Sequence, residues 1–191
     1  MKDAYAPVKR HSQIHSRLTT NSAPLTQQEW VLVLSQKIDI RNMFAEHRIF
    51  NSVFTEKGIQ DDMRGALWCN LLRVKVLKDL HSPQLFAKLS ALPNKELENI
   101  IEKDTIVDRS CICIDKDTDE YLMPDRQKFR AIITAYGNID MELGYSQGYN
   151  FLITLMLHYI DDEEDVFWAL HRIMFDLDWR GFYLDGMAKA V

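Results

Sequence analysis

The sequence predicts an all-α fold, an irregular array of about seven helices. Apolar residues recur at i, i+3, i+4 and i+7 in successive segments, which is the spacing of one helix face. No stretch alternates apolar and polar residues over the length of a strand. Apolar residues make up 47% and charged residues 27% of the 191-residue chain, which is the balance of a globular protein with a sizeable core.

Composition also excludes several functional classes. The net charge of −5 provides no basic field that would favour nucleic acid. The longest apolar run, residues 151–160, is about half the length that spans a bilayer, and no secretory signal opens the chain. The three cysteines are an odd number, which indicates a reducing compartment and no disulfide framework. We therefore expect a cytoplasmic protein without an integral membrane segment.

The N-terminal segment differs from the rest of the chain. Residues 1–25 are polar and mildly basic and lack periodicity, so we expect a flexible tail followed by one helical domain over residues 26–191. Thr26 and Glu29 have the spacing of a capping box, which predicts the start of the first helix. The apolar positions of that helix are Trp30, Val33, Leu34 and Ile38. An irregular connector is expected over residues 44–54.

Three further helices are predicted before the middle of the chain. Residues 58–62 lead into one long helix, whose apolar face is Met63, Leu67, Leu71 and Val74. Pro83, after Ser82, occupies the favoured first position of the next helix, with Leu85, Leu89 and Leu92 in register. Residues 93–94 start a fourth helix, with Leu97, Ile100 and Ile101 on one face.

The second half of the chain begins with a break in the helical pattern. Residues 105–123 are expected to form a long loop, and such loops in compact domains are usually functional or mobile. Pro124 and Asp125 open a fifth helix, with Phe129, Ile132, Ile133 and Tyr136 on its apolar face. A buried helix follows from about Asn150. The acidic residues 161–165 suit the start of the last clear helix, whose inner face is Val166, Leu170, Ile173 and Met174.

The most informative segment is the glutamine turn, residues 144–149, with the sequence Gly-Tyr-Ser-Gln-Gly-Tyr. Glycine costs stability in a helix, so Gly144 and Gly148 mark places where the backbone needs unusual angles or a close approach. Gln147 lies between them on a short loop at a helix start, which is a good way to hold an amide toward a ligand. An ordinary interhelical turn is equally compatible with this segment.

An acidic stretch, residues 115–119, resembles the opening of an EF-hand calcium loop. Glu120 stands where that loop needs glycine, and Arg126 stands where it needs a bidentate glutamate. Because both positions are required by geometry, a solvated acidic loop is the better interpretation.

No other metal or nucleophile site is predicted. Cys111 and Cys113 could ligate a soft metal, but a closed zinc site needs about four ligands and no second cysteine pair exists. His81, His158 and His171 fall in separate helices and are expected to be core or surface residues. No Ser-His-Asp arrangement has support from spacing.

Arg64 and Trp68 lie one helical turn apart, at i and i+4. The pair is compatible with a functional site at the start of the long helix. It is also compatible with a tryptophan in the core and an arginine in an ion pair.

The loop after the fourth helix contains Arg109, and either Asp104 or Asp108 could hold its guanidinium. Together with Gln147, this places an arginine and a glutamine on loops at helix ends. Arginine plus glutamine, without a nucleophile, metal or cofactor motif, can assist phosphoryl transfer on another protein.

Three motifs follow one another in the chain. Residues 58–60 are Gly-Ile-Gln and precede the Arg64-x-x-x-Trp68 motif; residues 101–104 are Ile-Glu-Lys-Asp; residues 145–150 are Tyr-Ser-Gln-Gly-Tyr-Asn. This set resembles the TBC-domain family, the GTPase-activating proteins for Rab GTPases. The resemblance runs from about Phe54 to the chain end and implies the N-terminal lobe of such a domain, with the C-terminal lobe outside the chain.

The resemblance implies a mechanism. The protein would insert an arginine and a glutamine, Arg109 and Gln147, into the nucleotide site of a GTP-loaded Rab. Asp104 would position the arginine. The protein would need no cofactor of its own, because GTP and Mg²⁺ are carried by the partner. It would act in the cytoplasm or at the surface of endomembranes. The residues expected to build the site around these groups are Arg64, Trp68, Tyr145 and Gly148.

The chain departs from the family at one position. The family places its arginine three residues after the aspartate, where this chain has Val107, and the nearest arginine is Arg109. Arg109 can serve if the chain leaves the helix near Thr105 and a bulge redirects it. Otherwise the chain would be a GTPase-binding module that does not accelerate hydrolysis. A helical scaffold whose glutamine turn is merely a turn is the third possibility.

Overall fold

The computed structural model describes residues 25–35, 59–95, 97–99, 125–146 and 148–184. These described residues are helices and connecting turns without any strand, so the predicted all-α fold is confirmed. The chain forms two compact units, Met1–Leu71 and Leu72–Val191. The helices are α1 Gln27–Ser35, α2 Asp61–Leu71, α3 Val74–Leu80, α4 Leu85–Ala91, α5 Arg126–Ile139, α6 Tyr149–Tyr159, α7 Glu163–His171 and α8 Arg180–Leu184.

The first unit begins with the predicted capping box. The Glu29 N–H donates to Thr26 Oγ1 at 3.4 Å, and the Thr26 N–H donates back to Glu29 Oε2 at 2.9 Å. Helices α1 and α2 pack against each other. Their shared core consists of Leu25, Trp30, Val33, Ile59, Met63 and Leu67. This core includes Leu25, the last residue of the predicted tail.

The prediction of one long helix after residues 58–62, with an apolar face from Met63 to Val74, is wrong, because this segment forms two helices. Helix α2 ends at Leu71, and Arg73 takes a left-handed backbone conformation with φ 53° before α3 starts at Val74. A left-handed residue cannot continue a right-handed helix. The apolar spacing continues across the break, which is why periodicity alone did not reveal it.

The predicted start and face of the next helix also needed correction. Residues 83–84 form a turn, and α4 starts at Leu85. The residue that α4 buries is Phe86, and Leu92 lies beyond the helix end with 51% of its surface exposed. Asn138 closes this end, since its Nδ2 donates to the carbonyl oxygens of Leu89 at 2.9 Å and Leu92 at 3.1 Å.

Helix α5 matches its prediction. The carboxylate of Asp125 caps it by accepting from the N–H groups of Gln127 at 2.8 Å and Lys128 at 3.2 Å. The four predicted apolar positions are all buried: Phe129, Ile132, Ile133 and Tyr136. Leu97, on the predicted fourth helix, is also buried, and residues 97–99 are helical.

Helix α7 is the centre of the second unit. Its residues Val166, Phe167, Trp168, Ala169 and Leu170 have no exposed surface. The helix packs against α3, α5 and α6, which explains why it is apolar on every side. The acidic residues at its start have two roles. Asp162 caps the helix, and Lys78 of α3 pairs with three acids there. Those acids are Asp162, Glu164 and Asp165.

Helix α7 continues as a π-helical turn, Arg172–Asp176, which leads to α8. Within this turn the Leu177 N–H donates to the Arg172 carbonyl at 3.1 Å, five residues back. The predicted inner face extends into it, since Ile173 and Met174 are buried. Helix α8 packs on the π-helical turn and is an element that the periodicity analysis did not predict.

Several predicted features lie outside the described residues: residues 1–24 of the tail, the connector 44–54 and the loop 105–123. Within the described ranges, no helix combines the length and the hydropathy that crossing a membrane requires.

His171 is the last residue of α7 and lies against Trp168 and Phe175, and we predict that it makes the second unit less stable at acidic pH. Its ring stacks on Phe175 with centroids 4.6 Å apart, and among the described residues its Nδ1 has no hydrogen-bond partner. Burial lowers the pKa of His171. Below about pH 6.5 the unfolded chain therefore takes up a proton that the folded chain does not, so stability falls as the pH drops.

The test is urea unfolding of the wild type and of His171→Gln at pH 7 and pH 5. The stability difference between the two proteins should shift in favour of His171→Gln at pH 5. His158→Gln, at an exposed position on α6, is the control for replacing a histidine. An unchanged difference at the two pH values contradicts the prediction.

Candidate functional site

The glutamine turn has the unusual backbone that its two glycines predicted. Gly144 has φ 60° and Gly148 has φ 108°, both in the region that side chains disfavour. Gly148 is also the N-cap residue of α6, and its N–H donates to Asn150 Oδ1 at 3.2 Å. Open space of at least 4 Å surrounds the Cβ position of Gly144, so its φ and not crowding requires glycine there. Gln147 itself lies outside the described residues.

Residues 140–143 connect α5 to the glutamine turn, and the first of them, Asp140, is only 3% exposed. Its carboxylate accepts a hydrogen bond from the Tyr136 hydroxyl at 3.0 Å and from the Leu143 N–H at 3.2 Å. The Gly144 N–H donates to the Asp140 carbonyl oxygen at 2.7 Å. One residue thus joins the end of α5 to Gly144, the first residue of the glutamine turn.

Arg180, the first residue of α8, neutralises this carboxylate. Its Nε donates to Asp140 Oδ2 at 2.8 Å and its Nη2 to Oδ1 at 2.9 Å, a two-pronged pair. Arg180 also pairs with Glu142, and its guanidinium lies 5.5 Å from the ring centre of Phe175. Sequence analysis missed this pair because its members are forty residues apart and neither belongs to a recognised motif.

The charge state of the site follows from these contacts. Burial alone would raise the pKa of Asp140, but the hydrogen bonds from Arg180, the Leu143 N–H and Tyr136 hold that pKa below its ordinary value. Burial is also the main reason that the pKa of Tyr136 is raised far above the usual tyrosine value, with Asp140 adding to it. At neutral pH the aspartate is therefore ionised and the tyrosine donates its proton.

Four tyrosines surround the start of α6. The Tyr149 ring is fully buried and makes edge contacts with Tyr136 at 5.4 Å, Tyr145 at 5.9 Å and Tyr183 at 4.9 Å between ring centroids. Among the described residues, the Tyr149 hydroxyl makes no hydrogen bond of normal geometry. The rings thus fix the position of Tyr149 through packing.

The structure brings two of the predicted site residues together, Tyr145 and Gly148, which both lie in the glutamine turn. Arg64 and Trp68 lie on α2 of the first unit. Arg64 Nη2 donates to Asp61 Oδ1 at 2.7 Å and to the Ile59 carbonyl at 3.3 Å, so it holds the segment before α2 against that helix.

The proposed catalytic residues and their partner are not described. Arg109 and Asp104, like Gln147, lie outside the described residues, and their predicted roles stay predictions.

The predicted absence of a metal site can be compared only with the described part of the chain. In those ranges no three His, Cys, Asp or Glu side chains are grouped as metal ligands would be. His81 and His171, predicted to lie in separate helices, are neighbours in space, with ring centroids 6.4 Å apart and both rings near Trp168. Cys111, Cys113 and the acidic residues 115–119 lie outside the description.

The two buried tyrosines make a matched test of this geometry. Tyr136→Phe removes a hydrogen bond to a charged acceptor and should lower the unfolding free energy by about 1.5–3 kcal/mol. Tyr149→Phe removes a hydroxyl that makes no hydrogen bond of normal geometry among the described residues, so it should cost less than about 0.5 kcal/mol or should stabilise the protein. Urea unfolding at pH 7 measures both. An equal loss in the two variants would show that the Tyr149 hydroxyl has a partner.

Comparison with known proteins places this chain in a family. The family model described as the Rab-GTPase-TBC domain matches residues 61–190, about two thirds of the chain. TBC1 domain family member 2B of Xenopus tropicalis is 31% identical over 136 residues, which cover 66% of this chain and 14% of that protein. The GTPase-activating protein GYP5 of Eremothecium gossypii is 29% identical over 130 residues, which cover 68% and 14%.

A third relative covers more of the chain. TBC1 domain family member 2B of Mus musculus is 26% identical over 171 residues, which cover 87% of this chain and 17% of that protein. The chain therefore spans 14% to 17% of the length of these relatives. No solved structure matches it significantly. The family match takes in α2 to α8 and the glutamine turn, and the chain belongs to the Rab-GTPase-TBC domain family.

Proposed function

We propose that this chain acts as a GTPase-activating protein for Rab GTPases and that Gln147 enters the partner's nucleotide site. The observation that carries the proposal is the glutamine turn, held between two glycines of positive φ inside the region that matches the Rab-GTPase-TBC domain. The relative GYP5 is named as a GTPase-activating protein, which supports the same activity. The partner would be a GTP-loaded Rab.

Gln147 would orient the water that attacks the γ-phosphate. A glutamine amide is suited to this role because it can accept from the water and donate to a phosphate oxygen at the same time. The backbone around it supports such a role. Gly144 and Gly148 have a backbone conformation that other residues adopt only with strain, and Asp140 binds the N–H groups of Leu143 and Gly144 where the turn begins.

Arg109 would supply the positive charge. An arginine inserted beside the phosphates neutralises the charge that develops in the transition state and is worth ~10³–10⁵ in rate, about 4–7 kcal/mol of barrier. Asp104 would orient the guanidinium through a charge-assisted hydrogen bond. Because Val107 stands at the family's arginine position, Arg109 would reach the site through a bulge after Thr105.

The supporting residues would hold the segments around the catalytic residues in position. Arg64 binds the carbonyl of Ile59 and so fixes the segment that precedes α2. Trp68, on the same helix, would have the same supporting role. Tyr145 packs edge-on against Tyr149 and so would fix the entrance of the turn. The chain would need no cofactor of its own, since the Rab brings GTP and Mg²⁺, and it would act in the cytoplasm at endomembrane surfaces where vesicles are sorted.

The test is single-turnover GTP hydrolysis by a panel of GTP-loaded Rabs with and without this chain. We expect Gln147→Ala to lower the stimulated rate by about 10²–10³-fold, the cost of losing one transition-state hydrogen-bonding group. Arg109→Ala should lower it by ~10³-fold or more. The matched controls are Gln127→Ala and Arg130→Ala on the exposed side of α5, which should stimulate GTP hydrolysis by the Rab as much as the wild type does.

The outcomes separate the alternatives. Full activity of Arg109→Ala would remove Arg109 from the mechanism. Binding of GTP-loaded Rab without faster hydrolysis by the wild type would overturn the activating function and identify a GTPase-binding module. Absence of binding to every Rab would leave a helical scaffold.

A further inference from the structure

We infer that helix α8 braces the glutamine turn from both ends and that Arg180 is a positioning residue for Gln147. This inference rests on the proposed function, because it assigns a role in the same reaction. Neither the family match nor the sequence motifs assign a role to Arg180 or to Tyr183.

At the start of the turn, α8 acts through Asp140. The Arg180 guanidinium binds both carboxylate oxygens of Asp140, at 2.8 and 2.9 Å. The same carboxylate accepts from the Leu143 N–H, so the oxygen that fixes the turn is itself fixed by Arg180. Glu142, within the turn region, is a second carboxylate bound by Arg180. Loss of Arg180 would leave a buried negative charge next to the turn.

At the end of the turn, α8 acts through Tyr183. The Tyr183 ring packs edge-on against Tyr149, the residue after Gly148, with centroids 4.9 Å apart. Its hydroxyl lies 3.8 Å from the position that a Cβ on Gly148 would occupy. Because Arg180 and Tyr183 are three residues apart, they project from the same side of α8. One short helix therefore contacts Asp140, which precedes the glutamine turn, and Tyr149, which ends it.

The π-helical turn fixes α8 in its place. It positions Phe175 under the Arg180 guanidinium at 5.5 Å, and the Phe175 ring stacks on His171 at the end of α7. Arg172 of the same turn donates from Nε to the Leu72 carbonyl at 2.9 Å. The brace is therefore connected to α7, the most buried helix of this unit. A rigid brace matters because misplacing a catalytic group by about 1 Å can cost on the order of 10²-fold in rate.

The first arm of the test measures hydrolysis. Arg180→Met should lower the single-turnover rate at saturating chain by about 10²-fold and leave the half-saturating concentration within about threefold, since the substitution affects orientation. Arg180→Lys keeps the charge but not the two-pronged geometry and should recover part of the rate. Arg130→Met, which loses only an exposed pair with Glu98, is the matched control.

The double variant separates positioning from general destabilisation. If Arg180 acts through Gln147, Arg180→Met combined with Gln147→Ala should be as slow as Gln147→Ala alone, within about threefold. A merely structural role would make the two losses multiply. Multiplying losses, or a wild-type rate in Arg180→Met, would overturn the inference.

The second arm needs no Rab. Amide hydrogen exchange over residues 141–148 should be at least about tenfold faster in Arg180→Met and intermediate in Arg180→Lys, while the centre of α5 stays as slow as in the wild type. Unchanged exchange would overturn the brace even if the chain is an active Rab activator. Faster exchange in a chain that stimulates no Rab would uphold the brace but refute the proposed function, and with it the role of Arg180 in positioning Gln147 for catalysis.

Discussion

The glutamine turn depends on the buried carboxylate of Asp140. A charge that is 3% exposed at the C-terminal end of a helix is doubly unfavourable, because it loses water and faces the negative end of the helix dipole. Its four hydrogen bonds, from Arg180, Tyr136 and the Leu143 N–H, offset that cost. They also tie three separate elements, α5, the turn and α8, to a single pair of oxygen atoms.

The architecture around this carboxylate explains how its partners arrive. Helix α7 is buried on all sides and ends in a π-helical turn, which directs the chain into α8. Arg180 is the first residue of α8 and Tyr183 the fourth, so the helix meets Asp140 and Tyr149 together. The core of the unit and the geometry of the turn are therefore coupled through local contacts. In the proposed function, this coupling would hold the amide of Gln147 in position for a GTPase partner.

Local sequence signals predicted much of the fold and of the candidate site. Residues within one or two helical turns of each other determine the Thr26 capping box, the Asp125 cap and the apolar face of α5. The two glycines of the glutamine turn likewise predicted its unusual backbone angles. The break at Arg73, the buried Phe86 and the Arg180 pair were not predicted, because each is decided by packing between distant segments. The roles of Asp104, Arg109 and Gln147 came from family resemblance and await experiment.

The most direct measurement is a double-mutant cycle on unfolding free energy with Asp140→Asn, Arg180→Met and the double variant, in urea at pH 7. If the pair organises this part of the fold, Arg180→Met leaves a buried carboxylate without a counter-charge, and Asp140→Asn leaves Arg180 with only the exposed carboxylate of Glu142. The double variant should therefore cost less than the sum of the single variants by about 2–3 kcal/mol. Additive losses, within about 0.5 kcal/mol, would contradict the account, since Asp140 and Arg180 would then contribute to stability independently.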